Sequence, residues 1–237
     1  MKILKGAEVS AKIKEQVTQM MEGLEGPAPK LAIVRVGEKP DDMSYERGAV
    51  KKMENFGLRV QTYVFPEQIN DSDFKAEFSA INRDPDVSGI LLLRPLPKQI
   101  AETDIEKMID PEKDLDGISP ANIAKVFAGD KTGFAPCTAE AVIEVLKANE
   151  IDMTGKNVTI VGRSMVVGRP LSMLMLKENA TVTICHTKTE YLKKECSRAD
   201  ILISAAGQAG LITGDMVKEG AVVVDVAVNR RADGPLC

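Results

Sequence analysis

The hydrophobic positions along the chain follow two rhythms that alternate from the N-terminus onward. Apolar residues at three- and four-residue spacing predict helices, and short continuous apolar runs between them predict buried strands. The first half of the chain has predicted helices at 7–21, 41–56 and 71–82 and predicted strands at 31–36, 60–65 and 89–93. Gly57 is expected to cap the second helix at its C-terminus. The order β-α-β-α-β is typical of a parallel sheet.

A second run of the same kind follows a stretch rich in proline, aspartate and glycine. We interpret this stretch, residues 110–138, as a loop-rich connector. Beyond it the pattern predicts a helix at 139–149, a helix-like segment at 170–176, and strands at 157–161, 181–185, 201–205 and 221–226. The whole pattern predicts an α/β protein of two lobes, with a cleft between them.

Composition narrows the class of protein. The 237 residues are 44% hydrophobic and 28% charged, which is typical of a soluble globular protein. A net charge of −4 gives no basic field for nucleic acid, and no apolar run has the length of a membrane span. The N-terminus lacks the apolar core of a signal peptide. We therefore predict a cytoplasmic protein without nucleic-acid or membrane partners.

The cysteines and the histidine argue against a metal site. The chain has four cysteines, none in C-x-x-C spacing, and one histidine, His186. A zinc site needs more ligands at closer spacing, so no metal is predicted. Scattered thiols of this kind fit a reducing, cytoplasmic environment.

The clearest chemical signal is the strand, turn and helix at 157–176. The strand ends at Gly162, and Gly168 stands where the next helix begins. Such a turn lets backbone N–H groups approach a phosphate, and the helix dipole favours its negative charge. The spacing Gly162-x5-Gly168 is not Gly-x-Gly-x-x-Gly, however. On this segment alone, an ordinary strand-to-helix connection is an equally good interpretation.

The end of the following strand indicates which nucleotide would bind. In NAD-binding folds a carboxylate about 20 residues beyond the turn holds the ribose 2′-hydroxyl. Here the strand at 181–185 is followed by His186, Thr187, Lys188 and Thr189, with no carboxylate among them, and Arg163 lies in the turn itself. A rim of cations and hydroxyls suits a 2′-phosphate. The sequence therefore favours NADP over NAD.

The helix at 41–56 carries a tyrosine and a lysine on one face. Tyr45, Ala49 and Lys52 follow one another at helical spacing. A pair of this kind is usually a half-buried aromatic ring next to a solvated charge, and that interpretation is preferred for the helix alone.

Two further features of the first lobe are candidates for ligand contacts. Asp114 and Asp116 precede Gly117, a pattern that also suits a turn in which aspartate side chains bind backbone amides. The segment Arg94-Pro95-Leu96-Pro97 follows a strand at the edge where parallel sheets bind ligands, although a rigid loop end would equally explain it.

A set of short motifs runs in order along nearly the whole chain. They are Gly37-Glu38 with Ser44-Tyr45, Gly89-Ile90-Leu91, Pro95-Leu96-Pro97, Pro111-Glu112-Lys113-Asp114-Leu115-Asp116-Gly117, Pro136-Cys137-Thr138, Val161-Gly162-Arg163-Ser164 with Val167-Gly168-Arg169-Pro170, Ala180-Thr181-Val182-Thr183 with Cys185-His186, Ala205-Ala206-Gly207, and Val224-Asp225-Val226. In these motifs the chain resembles the methylenetetrahydrofolate dehydrogenase/cyclohydrolase family.

The resemblance implies a fold, ligands and an assembly. It implies a folate-binding catalytic domain at residues 1–137 and a Rossmann-like NADP-binding domain at residues 138–237, assembled as a homodimer. The implied substrate is a tetrahydrofolate derivative, and the implied cofactor is NADP, with NAD possible. By the resemblance, Tyr45, which packs on the folate, and Asp116, which holds the pterin ring, are both catalytic and substrate-binding residues, and Pro95, Leu96 and Pro97 also bind the substrate. The cofactor-binding residues are Gly162, Arg163, Ser164, Gly168, His186 and Thr187.

The chain departs from the family pattern in three places. The family has a catalytic lysine in Tyr-x-x-x-Lys, but the fourth residue after Tyr45 is Ala49, and Gly57 shows that the register has not slipped. The family glutamine in Gly-Ile-Leu-Val-Gln-Leu-Pro is replaced by Leu93. The family also continues with a Gly-Asp-Val-Asp strand, a Pro-Gly-Gly-Val-Gly-Pro loop that helps to close the folate site, and a helix. The sequence ends at Cys237 without these.

Three functions are consistent with the sequence. The first is NADP-dependent oxidation of 5,10-methylenetetrahydrofolate to the 5,10-methenyl form in one-carbon metabolism, a step that needs positioning and no protein base. Cyclohydrolase activity is then predicted to be weak or absent, because addition of water needs proton handling. The second is the full bifunctional enzyme, with Lys52 as a substitute catalytic amine. The third is a non-catalytic nucleotide-binding subunit.

Overall fold

The computed structural model describes residues 6–226, which form two compact units. One contains residues 6–124 and 132–134, and the other contains residues 125–131 and 135–226. Each unit is an α/β structure with a parallel sheet, as predicted. The domain boundary between residues 137 and 138 stays a prediction. Cys237, after which the family pattern continues, lies outside the described residues.

The first unit is built around a three-stranded sheet. Its elements are α1 (Gly6–Glu22), β1 (Lys30–Val36), α2 (Pro40–Asn55), β2 (Arg59–Phe65), α3 (Asp71–Arg83), β3 (Val87–Leu92), α4 (Glu102–Met108) and the first part of α5 (Pro120–Ala128), whose residues from 125 onward belong to the other unit. The strand order is β2-β1-β3, and both pairings are parallel. Gly57 has a φ of 80° just after α2, which is the left-handed conformation expected of a glycine at a helix C-terminus.

Strand β1 is buried on both faces, which explains its unbroken apolar run. Successive side chains of a strand point to opposite faces. Ala32, Val34 and Val36 belong to one core, together with Phe74 and Phe78 of α3. Leu31 and Ile33 belong to a second cluster, which we call the α2 cluster: Leu31, Ile33 and Leu93, with Ala49, Val50, Met53, Val60, Leu91 and Leu115 packed against them.

The second unit contains a four-stranded sheet. Its elements are α6 (Cys137–Ala148), β4 (Asn157–Val161), α7 (Gly168–Lys177), β5 (Thr181–Cys185), α8 (Leu192–Ser197), β6 (Ile201–Ser204), a single 3₁₀ turn (Gly214–Met216) and β7 (Val222–Asp225). The order is β5-β4-β6-β7, all parallel. The order reverses at β4, because β5 lies on one side of it and β6 on the other. In such sheets ligands bind at the carboxyl end of the strand where the order reverses.

The loop-rich connector predicted at 110–138 was wrong, because helix α5 lies within it. Ser119 precedes α5, and its hydroxyl accepts a hydrogen bond from the Asn122 amide at 3.2 Å. Pro120 follows as the first helical residue, a position that suits proline because no intrahelical donor is lost there. The pair Ser119-Pro120 therefore marks the start of a helix. The proline, glycine and aspartate residues around it made the whole stretch resemble a loop in the sequence.

Ion pairs hold the strands together at the amino edge of each sheet. In the first sheet Lys30 and Arg59, which begin β1 and β2, both pair with Asp86 just before β3, and hydrogen bonds from these two side chains hold the pKa of Asp86 well below its usual range. In the second sheet Asp200 binds the Lys218 ammonium at 2.5 Å and the Asn157 amide at 2.9 Å. These contacts lower the pKa of Asp200 to about 2, so its carboxylate is charged at neutral pH.

Within residues 6–226, no helix combines the length and apolar character needed to cross a membrane. The same residues contain no cluster of three or more His, Cys, Asp or Glu side chains that could hold a metal ion.

Candidate functional site

The turn between β4 and α7 is closed by two glycines that cannot be replaced without displacing backbone. Gly162 has a φ of 137°, and a Cβ on it would lie 2.4 Å from the carbonyl oxygen of Ala205. A Cβ on Gly168 would lie 2.0 Å from the carbonyl oxygen of Gly162. The first turn of α7 therefore sits directly on the end of β4. This strand, glycine turn and helix N-terminus are the elements from which the sequence predicted a phosphate cradle, and that role stays a prediction.

Hydrogen bonds hold the loop between the two glycines in shape. The Ser164 hydroxyl accepts a hydrogen bond from the Val167 amide at 3.1 Å, and the Ser164 carbonyl accepts one from the Arg169 amide at 3.0 Å. Arg163 and Ser164 are both exposed. Their polar groups can therefore reach a bound phosphate without displacing packed side chains.

The segment after β5 lies beside this loop. Val161 pairs with Cys185 in the sheet, so Gly162 and His186 follow their strands at the same edge. The His186 amide donates to the Thr189 hydroxyl at 2.8 Å, and the Lys188 amide donates to Nδ1 of His186 at 3.0 Å. These bonds fold residues 186–189 into a tight turn, with Thr187 exposed. The structure thus brings all six predicted cofactor residues to one edge of the second sheet.

Two buried thiols support this edge without being reactive. Cys185 and Cys196 pack together with Val161, Ala199 and Leu202 and are fully buried. Burial raises the pKa of Cys185, and it raises the pKa of Cys196 to about 11. Both groups are therefore neutral thiols near pH 7, and neither supplies a nucleophile.

In the first unit, Tyr45 lies on α2 at the carboxyl end of the central strand. Gly37, with a φ of 79°, turns the chain from β1 into α2. Tyr45 is 59% exposed, so it is not a core aromatic. The ammonium of Lys39, just before α2, donates to the Pro95 carbonyl at 3.0 Å, which ties the start of the helix to the loop after β3. Lys52 is exposed in the last turn of α2.

Ala49 and Leu93 meet in an apolar environment. Leu93 is 8% exposed, and its amide donates to the Val34 carbonyl at 2.9 Å, so it continues β3 beside the central strand. Ala49 packs against the same α2 cluster from the helix side. The two positions where the resemblance expects a lysine and a glutamine are thus filled by hydrocarbon.

The loop Arg94-Pro95-Leu96-Pro97 is held by α4. The Arg94–Pro95 peptide bond is cis. Arg94 pairs with Glu102 and Glu106 at 3.2 and 3.3 Å, and the other oxygen of Glu102 accepts from the Leu96 amide at 3.0 Å. Leu96 is buried, whereas Pro95 is exposed and Pro97 is half-buried. Of the three residues predicted to bind substrate, the two prolines are the accessible ones.

The two aspartates before Gly117 have different environments. Asp114 is fully buried and accepts hydrogen bonds from the Ile118 and Ser119 amides and from the Asn122 side chain, at 2.8–3.0 Å. The turn interpretation is therefore right for Asp114. Asp116 is half-buried, and nothing within residues 6–226 donates a hydrogen bond to its carboxylate. Asp116 is the aspartate that can accept donors from a ligand.

The Asp114 segment is also fixed to the sheet. Asp114 forms an isolated parallel bridge with Ile90, and Leu115 lies on Gly89, where a Cβ would come within 2.7 Å of a Leu115 methyl carbon. Asp116 is thereby carried toward the carboxyl end of β3, the edge to which Tyr45 and Pro95 also belong.

Sequence reasoning missed two charged residues of this edge. Arg35 is 7% exposed inside the apolar strand β1, and it pairs with Glu46 on α2. The signal was available, because a lone arginine in the run Leu31–Val36 needs a buried partner. Glu102 was missed as well, since nothing in the sequence of α4 indicates that it binds a loop.

The two parallel sheets define an α/β protein. The glycine turn that follows β4, where the strand order of the second sheet reverses, is typical of a dinucleotide-binding unit. Two family models match the chain. The model described as tetrahydrofolate dehydrogenase/cyclohydrolase, catalytic domain, matches residues 4–116, and the one described as tetrahydrofolate dehydrogenase/cyclohydrolase, NAD(P)-binding domain, matches residues 136–237.

Relatives and solved structures give the same result. A Clostridium kluyveri protein named "Bifunctional protein FolD" is 47% identical over 237 residues, covering 99% of this chain and 84% of the relative. The crystal structure of the bifunctional enzyme FolD, methylenetetrahydrofolate dehydrogenase/cyclohydrolase, from Campylobacter jejuni has a TM-score of 0.96 at 39% identity, covering 100% of this chain and 84% of that one. The Trypanosoma brucei methylenetetrahydrofolate dehydrogenase-cyclohydrolase, solved with NADP and an inhibitor, has a TM-score of 0.88 at 30% identity, covering 96% and 78%.

The chain belongs to the tetrahydrofolate dehydrogenase/cyclohydrolase family. The predictions of this enzyme family, of its two-domain α/β fold and of an NAD(P)-binding second domain are thereby confirmed. The roles of the individual site residues stay predictions.

Proposed function

We propose that the protein is an NADP-dependent methylenetetrahydrofolate dehydrogenase whose cyclohydrolase activity is weak or absent. The observation that carries the second part is the contact of Ala49 and Leu93 with one apolar cluster, where the family pattern has a lysine and a glutamine. Without an amine or an amide at these positions, no group there can take a proton from the attacking water.

The cofactor fits the second unit. At Gly162 and Gly168 a Cβ would collide with backbone atoms, so only glycine allows this tight turn from β4 into α7, which suits close approach of backbone to a pyrophosphate. When bound, NADP supplies the hydride acceptor. Arg163, Ser164 and Thr187 are exposed at the same edge and suit the cofactor phosphates, including the 2′-phosphate.

The folate is held by the first unit. Tyr45 offers an exposed ring to stack on the folate, and the Asp116 carboxylate accepts N–H donors of the pterin. Loss of hydride from the methylene carbon leaves a cation that the adjacent folate nitrogen stabilises. The residues therefore act by orienting the folate and not as a base, and the loss of the family lysine is compatible with this step. A homodimer and a cytoplasmic location stay predictions.

Replacing Asp116 with asparagine tests the folate assignment. The amide keeps the size of the side chain but loses its charge, and a hydrogen bond to a charged group is worth about 1.5–3 kcal/mol, so kcat/KM for methylenetetrahydrofolate should fall about 10- to 100-fold. Nicotinamide absorbance reads the rate. Glu112→Gln, which removes an exposed charge from the same segment, is the control and should retain full activity. If the unmodified protein forms no NADPH from this substrate, the dehydrogenase assignment fails.

Replacing Arg163 with alanine tests the choice of cofactor. If the guanidinium binds the 2′-phosphate, the variant should lose about 10-fold or more in affinity for NADP while its affinity for NAD changes little. Titration with each cofactor measures this difference. Arg198→Ala is the matched control, because Arg198 is exposed in the same unit but lies two residues before Asp200 at the amino edge. Equal loss of NADP and NAD would contradict the assignment.

A second function has one observation in its favour. The C. kluyveri relative is named a bifunctional protein, and Lys52 offers an exposed amine one turn beyond Ala49 on α2. If Lys52 substitutes for the family lysine, the unmodified protein hydrolyses methenyltetrahydrofolate rapidly, and Lys52→Ala abolishes that activity while NADPH formation persists.

A further inference from the structure

One arginine is buried inside the central strand of the first sheet. Six of the seven residues of β1 are buried, and Arg35 is among them, at 7% exposure. Leu31, Ile33 and Arg35 alternate onto the face that α2 covers, because side chains of a strand alternate. Within residues 6–226, Arg35 and Asp114 are the only charged residues buried to this degree. Both lie in the first unit, and Asp114 fixes the segment that carries Asp116.

The partner of Arg35 is the residue that follows Tyr45. Nε of Arg35 donates to a carboxylate oxygen of Glu46 at 2.7 Å, and the two side chains are 8% and 15% exposed. Nη1 of Arg35 also donates to the Gly37 carbonyl, at the turn that leads into α2. One guanidinium thus binds both the end of β1 and the second turn of the helix.

This pair acts on a helix whose residues are all at least partly exposed. Helix α2 contains no fully buried residue, and Lys39, the residue before it, makes no side-chain cap but donates to the Pro95 carbonyl. The contacts of α2 with the α2 cluster come from Ala49, Val50 and Met53, in the later half of the helix. The Arg35–Glu46 pair holds the earlier half, where Tyr45 lies.

The energetics of buried ion pairs point to geometry as the role of this one. Removing two charges from water offsets most of their mutual attraction, so apolar residues of similar size often give equal stability. Unlike an apolar side chain, the planar guanidinium fixes the direction of its hydrogen bonds, because its N–H donors form a rigid fork. The Arg35–Glu46 ion pair therefore contributes mainly to the position of the second turn of α2 and little to stability.

We propose that Arg35 and Glu46 are positioning residues that set the placement of Tyr45 and thereby the affinity for the folate. The inference rests on the proposed function, in which Tyr45 packs on the folate. Neither residue contacts the substrate in this proposal, and both act through the helix turn.

The test removes the pair without leaving a buried charge. The variants are Arg35→Met, Glu46→Leu and the double replacement, compared by Tm, by KM for methylenetetrahydrofolate and by KM for NADP. Each single variant should lose stability, because it leaves one buried charge unpaired. The double variant should regain a Tm near that of the unmodified protein, yet keep a folate KM raised about 10-fold, with KM for NADP unchanged. A folate KM that returns to normal together with the Tm would overturn the proposal.

A second comparison asks whether the pair acts through Tyr45. In a Tyr45→Ala background, removing the pair should have no further effect on folate KM, because the group being positioned is gone. If removing the pair raises the folate KM of the Tyr45→Ala variant as much as it raises that of the unmodified protein, the proposal is also overturned. If the double variant does not fold, Arg35→Lys replaces it. Its ammonium keeps the charge but cannot bind Glu46 and the Gly37 carbonyl as a fork, so folate KM should rise, and an unchanged KM would refute the role.

These outcomes differ from a failure of the proposed function. If the unmodified protein forms no NADPH from methylenetetrahydrofolate, the function itself is wrong. If it does so and the variants keep a normal folate KM, only the positioning role is wrong.

Discussion

Replacement of Gly168 with alanine is expected to abolish NADP binding. The added Cβ would lie 2.0 Å from the Gly162 carbonyl oxygen, 2.6 Å from its carbon and 3.0 Å from the Arg163 Cα. All three are backbone atoms, so no side chain can move aside, and the turn itself must open. Opening would displace the backbone amides that are proposed to face the cofactor phosphates. We expect affinity for NADP to fall about 100-fold or more, since overpacking of this kind costs about 1–3 kcal/mol even where side chains can yield.

The control for this variant is Gly214→Ala. Gly214 lies in the same unit, and a Cβ on it would meet nothing within 4 Å. That variant should bind NADP normally, whereas Gly168→Ala should not, as followed by calorimetric titration. Normal NADP binding by Gly168→Ala would show that the cradle is not the phosphate site.

The double replacement Ala49→Lys with Leu93→Gln is expected to raise methenyltetrahydrofolate hydrolysis. It returns to the α2 cluster an amine and an amide that can handle a proton, and such assistance is worth about 10²–10⁴-fold in rate. Hydride transfer should change much less, because it depends on positioning. Decay of the methenyl chromophore, in a buffer where background hydrolysis is slow, measures the first rate, and NADPH formation measures the second.

A matched variant separates chemistry from packing. Ala49→Met with Leu93→Met brings side chains of comparable length without a proton-handling group, so it should disturb the α2 cluster but leave hydrolysis slow. Rapid hydrolysis by the unmodified protein, lost on Lys52→Ala, would show that Lys52 performs this step.

Strands β1 and β4 could be predicted from the sequence because they are buried on both faces, and the partly exposed strands β2 and β5 could be predicted because they are rich in β-branched residues and, in β2, aromatic ones. β4 and β5 were predicted at their observed bounds, and β1 and β2 each begin one residue earlier than predicted. Helices α4 and α8 were missed. Each has only one fully buried residue, Ile105 in α4 and Cys196 in α8, so neither shows a helical rhythm of apolar positions.

From the sequence, the positions of site residues could be predicted only where those residues directly follow the carboxyl end of a strand. His186 and Gly162 were assigned to one edge because parallel strands end together, and the register confirms that placement. The family resemblance singled out Asp116, but the residue pattern alone could not distinguish the two aspartates before Gly117, because Asp114 is bound by amides of the chain that follows it. It also could not show that Glu46 meets Arg35, since that contact exists only once α2 packs on β1.

The ion pairs at the amino edges of the two sheets lie away from the proposed site. Lys30, Arg59 and Asp86 join three strands in the first sheet, and Asp200 joins β4 to the segment before β7 in the second, all at the edge opposite to Tyr45 and Gly162. The ion pairs and the proposed ligand-binding residues thus lie at opposite ends of the same strands. A substitution at Ala49 or Leu93 therefore changes the proposed site while the ion pairs at the other end stay intact, so the chemistry of this site can be altered without rebuilding the fold.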